Sequence, residues 1–109
     1  MVKSILQDEK ECYLCRKYFD TCNDVGLHLH HIYGGWGNRS VSDREHCVIW
    51  LCAYHHNCSN NGIHFRHDVD LMVKQECQRK FEETRTREEF MKLFGRNYLD
   101  DEEGTREED

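Results

Sequence analysis

Proline is absent from this sequence of 109 residues, and no apolar run in it approaches the roughly 20 residues of a membrane-spanning helix. The opening MVKSILQDEKE is too polar for a secretion signal. Apolar residues are scarce too. They make up 38% of the chain against 33% charged, which is lean for a small domain that must build its own core. A chain so composed needs a staple. Disulfides are a poor choice, because the seven cysteines are odd in number and nothing at the start directs export. Cysteine and histidine then read as metal ligands in a reducing cytoplasm.

An excess of positive charge is also missing, and the formal net charge is -6. The imbalance is local. Residues 100–109 hold seven acids and one base, which leaves residues 1–99 with 14 of each sign. The expected organisation is one neutral domain over 1–99 and a disordered, solvated acidic tail over 100–109 that discourages nonspecific contact with phosphate.

The staple is legible in Cys12-Tyr13-Leu14-Cys15. CxxC brings two thiolates to one side of a tight turn, a device shared by zinc knuckles and redox sites. Cys52 and His55 form a second pair at CxxH spacing, with 36 residues between the pairs. Together they complete a tetrahedral Cys3His zinc site, with Cys58 as the alternative to His55. Cys22 reads as a free thiol.

Around the staple lie two short strands. Leu27, Leu29 and Ile32 mark a half-buried strand that Gly34-Gly35 ends in a turn, and Val48-Ile49-Trp50-Leu51 marks a second, buried one. Adjacent residues on a strand point to opposite faces, so His30 and His31 take different work. The plainer alternative is a surface histidine cluster. Residues 52–62 read as a short helix stopped by Asn61-Gly62. If His55 faces zinc there, His56 faces elsewhere, with Asn60 four residues on and on the same side. His30, His56 and Asn60 are then expected to hold a magnesium or manganese ion with positions open to water and phosphate. His31, unligated, takes a proton from water. That set suits phosphodiester hydrolysis. His64 is a further metal ligand, a phosphate contact, or a residue packed on Phe65. His28, His46 and His67 receive no role. Arg39, Arg44 and Arg66 flank the site as phosphate contacts or as solvated surface, and Trp36 stacks on a base or packs inside.

Residues 41–46 read as a polar connection. From Asp68 a helix is predicted to about Thr84, with Leu71, Met72, Cys77 and Phe81 inward. Thr86 and Glu89 form a capping box for a last helix with Phe90, Leu93 and Phe94 inward and Gly95 as its stop.

His30-His31-Ile32 with Gly34-Gly35, the segment VIWLC at 48–52, and His55-His56-Asn57 resemble the HNH nucleases of the ββα-metal superfamily. The likeness is to the small zinc-stabilised forms of phages and prophages, and it covers roughly residues 12–64. Residues 68–95 look like the helical extension of some phage members. The resemblance implies an α+β, ββα-metal domain with a structural zinc knuckle and C-terminal packing helices. It also implies metal-dependent cleavage or nicking of DNA in a bacterial cytoplasm, with His31 as general base and His30, His56 and Asn60 at the ion. Members often carry an asparagine before the second strand to orient the base. Here Cys47, preceded by His46, stands in that place, and Asn38, Asn57 or a backbone carbonyl is left to do its work. The competing reading is a noncatalytic zinc module that binds nucleic acid or protein, such as a phage accessory factor, which has no need of a second histidine site. A thiol redox role lacks the βαβ surroundings it needs. Neither a membrane nor an organic cofactor is expected.

Overall fold

The computed structural model describes residues 3–35 and 37–99. Trp36 and residues 100–109 lie outside them, and with them the readings of a stacking tryptophan and a solvated tail. The chain forms a small α+β fold in the order α1 (Tyr13–Phe19), β1 (His28–His31), α2 (Asn38–Arg44), β2 (Val48–Leu51), α3 (Ala53–His56), α4 (His67–Phe81) and α5 (Arg87–Phe94). Among the described residues no helix is long and apolar enough to cross a membrane.

The two strands pair antiparallel, with His28 opposite Leu51, His30 opposite Ile49 and His31 opposite Val48. Their connection contains α2, where the sequence suggested a polar link. NRSVSDR has almost no apolar periodicity, so nothing in it announces a helix. The helix is docked instead by one buried hydroxyl. Ser42 Oγ accepts from the Tyr33 backbone N–H at 3.1 Å and donates to the Tyr33 carbonyl at 2.8 Å. This fixes α2 beside the end of β1.

α1 is the second helix that the pattern did not show. Cys12 caps it, its Sγ accepting from the Cys15 N–H at 3.4 Å, and Asp20 ends it in the left-handed region at φ 52°. Aspartate tolerates that conformation better than most residues.

The last two helices form as expected, with one change of face. The capping box is complete: Thr86 Oγ1 accepts from the Glu89 N–H, and the Glu89 carboxylate accepts from the Thr86 N–H. Gly95 closes α5 at φ 77°. On α4 the fully buried stripe is Val69, Val73, Cys77 and Phe81, spaced by four, while Leu71 and Met72 are only half-buried. Both stripes are apolar enough to be covered. α4 lies against Tyr33, whose hydroxyl donates to the Lys74 carbonyl at 2.6 Å. Tyr33 stacks among Phe90, Phe94 and Tyr98, with ring centroids 4.4–5.2 Å apart. One aromatic residue just beyond β1 thus ties the sheet to both terminal helices.

Candidate metal centres

Two side-chain groups among the described residues have metal-ligand geometry, and both meet at α3. The first is Cys12, Cys15, Cys52 and His55, all four buried. Cys12 and Cys15 come from the start of α1, while Cys52 is the N-cap of α3 and His55 lies within it. A tetrahedral zinc with ordinary bond lengths requires about 3.8 Å between sulfurs and about 3.6 Å between sulfur and nitrogen. Cys15 and Cys52 Sγ are 3.8 Å apart, and His55 Nδ1 lies 3.6, 3.4 and 3.5 Å from the sulfurs of Cys12, Cys15 and Cys52. The group is consistent with a structural zinc site.

Burial, with the Cys12 and Cys52 sulfurs alongside, pushes the Cys15 thiol up to about 12, although the Asn23 amide donates to it at 3.6 Å. Such thiols ionise in the presence of a dication and stay protonated without one. Cys58 does not join the group. It is exposed and donates to Asn57 Oδ1.

The second group is His30, His56 and His64. His30 is 8% exposed, and its Nε2 is a buried polar atom with no hydrogen-bond partner. Buried side-chain nitrogens are seldom left in that state. Burial, reinforced by the neighbouring His56 and His64, holds its pKa down to about 3, so the ring is a neutral imidazole. Burial, with His64 and His28 alongside, also lowers His56. His64 Nε2 is 3.0 Å from His56 Nε2, and His28 Nδ1 is 2.8 Å from His56 Nδ1.

A backbone crossing delivers His64 to this group. The chain after α3 folds back along it, with the Ile63 N–H donating to the His55 carbonyl at 2.7 Å and the His64 N–H to the His56 carbonyl at 3.2 Å. Gly62 permits the approach, because a Cβ at this position would lie 2.7 Å from the His56 carbonyl oxygen. Its role is this contact, and α3 itself already ends at His56. Gly62→Ala should therefore destabilise the domain by about 1–3 kcal/mol and weaken metal binding by the histidines. Urea melts and metal titration of the variant check both effects.

The histidines line a cleft of about 610 Å³ together with His31, Arg39 and Lys74. His31 leaves the strand on the other side from His30, with Nε2 3.5 Å from Asp43 Oδ1 on α2. Asn60 stands apart. Helix α3 stops at His56, so the four-residue spacing that would align Asn60 with it does not apply, and Asn60 is exposed and outside the cleft lining. Of the three arginines expected near phosphate, Arg39 lines the cleft. Arg44 does not, its Nε lying 3.6 Å from Glu45 Oε2, and nor does Arg66, whose guanidinium is held by Asp68 at 2.8 and 3.0 Å.

Sequence reasoning gave His28 no role and left that of His64 open. A signal for the first existed: His28 is two residues before His30 and so shares its strand face. For His64 the only signal was a glycine two residues earlier. Compared with family models, curated proteins and solved structures, the chain matches none.

Proposed function

We propose that the protein is a metal-dependent, HNH-type endonuclease that hydrolyses DNA phosphodiesters on a zinc-stapled ββα-metal core. The observation that carries this reading is the buried, neutral His30, whose Nε2 has no hydrogen-bond partner, grouped with His56 and His64 at the edge of a cleft that His31 also lines. A purely structural or binding module has no need of such a group. Cys12, Cys15, Cys52 and His55 are the residues that hold the structural zinc.

His30, His56 and His64 are the donors for the cleft ion. Three imidazoles favour nickel-, cobalt- or zinc-type ions, whereas magnesium prefers oxygen donors. The bound ion supplies Lewis-acid stabilisation of charge on the phosphate. The other tasks belong to the chain. His31 accepts a proton from the attacking water, with Asp43 placed to stabilise the imidazolium that results. Arg39 and Lys74 contribute positive charge toward the phosphate, although Lys74 shares its ammonium with Asp70 at 2.8 Å. Asp43 thus does the work that the missing asparagine was expected to do.

Incubating supercoiled plasmid with the zinc-loaded protein tests the proposal. Nicking or linearisation is expected with nickel(II), cobalt(II) or manganese(II), to a lesser degree with magnesium(II), and not with excess EDTA. A protein that cuts DNA under none of these conditions would sink the reading.

A further inference from the structure

Beside the cleft histidines, against His56, stands one that the catalytic assignment does not use. His28 is half-buried on β1, two residues before His30, and its ring meets that of His56 edge-on at 4.9 Å between centroids. The contact is specific to the nitrogens, with Nδ1 of one ring 2.8 Å from Nδ1 of the other. His56 is therefore contacted at both of its nitrogens, by His28 at Nδ1 and by His64 at Nε2. A neutral imidazole carries one N–H, so the two contacts are linked. If His56 donates from Nδ1 to His28, its Nε2 presents a lone pair toward His30 and His64. If the proton sits on Nε2 instead, that lone pair is gone.

We propose that His28 is a positioning residue. It accepts the Nδ1–H of His56, holds that ring in its ligating tautomer, and aims Nε2 at the ion site shared with His30 and His64. This rests on the reading of those three histidines as a metal site. Metal-bound histidines generally have their second nitrogen held by such a partner, and removing the partner costs 10- to 100-fold in affinity. The usual partner is a carboxylate or a backbone carbonyl. Here the sheet supplies a second imidazole from the strand that also carries a ligand. β1 thus contributes His30 to the ion and His28 to the ion's other ligand.

The test is calorimetric titration of nickel(II) into the full, zinc-loaded chain as wild type, His28→Leu and His28→Asn. Leucine keeps the bulk and removes the acceptor, whereas asparagine places an oxygen near the position of Nδ1. The leucine variant should bind nickel about 10- to 100-fold more weakly, with its zinc content and melting temperature retained. The asparagine variant should recover most of that loss. Leucine binding as tightly as wild type overturns the proposal, and so does asparagine failing to rescue. Absence of any nickel site in wild type overturns this proposal and the metal reading together, which separates the two failures. Should the leucine variant not fold, imidazole nitrogen NMR of the wild type decides. His56 protonated at Nδ1 supports the role of His28, and His56 protonated at Nε2 refutes it.

Discussion

Stripping zinc from this protein should unfold it. Structural zinc contributes about 10–16 kcal/mol of apparent binding energy in small domains, whereas whole domains are stable by only about 5–15 kcal/mol. The four ligands join the start of α1 to α3, segments that are otherwise linked through 36 residues of chain. Without an ion, three buried thiols and an imidazole face one another with no charge to organise them. Cys12→Ser should abolish the folded state because Cys12 is wholly buried, is within 3.6 Å of His55 Nδ1, and also caps α1. Cys22→Ser should leave the fold unchanged, since that thiol is exposed and outside both ligand groups. Circular dichroism during chelation, paired with elemental analysis, provides the check. A metal-free wild type that keeps its native spectrum would refute the staple.

The second large effect is expected at His31. His31→Ala should slow plasmid cleavage by about 10²- to 10⁴-fold, the ordinary contribution of a general base. Nickel(II) affinity and zinc content should stay near wild type, because His31 leaves the strand away from the ligand group and meets Asp43 instead. The adjacent pair His55 and His56 sharpens the test. His56→Ala should abolish cleavage and weaken nickel together while the domain remains folded. His55→Ala should release zinc and unfold it. If the His55 and His56 variants behave alike, or if His31→Ala cuts as fast as wild type, the division of labour is wrong.

The sequence by itself determined the elements whose chemistry is local. The CxxC and CxxH spacings each bring two side chains to one side of a turn or helix, so the members of the buried Cys12, Cys15, Cys52 and His55 group were legible, while their meeting across 36 residues is the work of the fold. The capping box at Thr86 and Glu89 and the stop at Gly95 depend on residues within a few positions of each other, and both formed as read. The strand reading of this segment likewise sufficed to place His30 and His31 on opposite sides, and the strand forms over His28–His31.

Tertiary structure alone decided the rest. Asn60 was aligned with His56 by helical spacing, and that argument failed because α3 ends after one turn. His64, eight residues on, comes within 3.0 Å of His56 instead, through a backbone crossing that Gly62 permits. Helix α2 has no apolar stripe to announce it. It is docked through Ser42, which reaches both backbone groups of Tyr33, and it carries Asp43 to His31. Which stripe of α4 is buried depends on what the helix packs against, including Tyr33, a residue more than 30 positions earlier. Periodicity and spacing report interactions within a segment. They say nothing about which distant backbone a glycine will allow to approach, or which hydroxyl will dock a polar helix, and the second histidine cluster depends on such contacts.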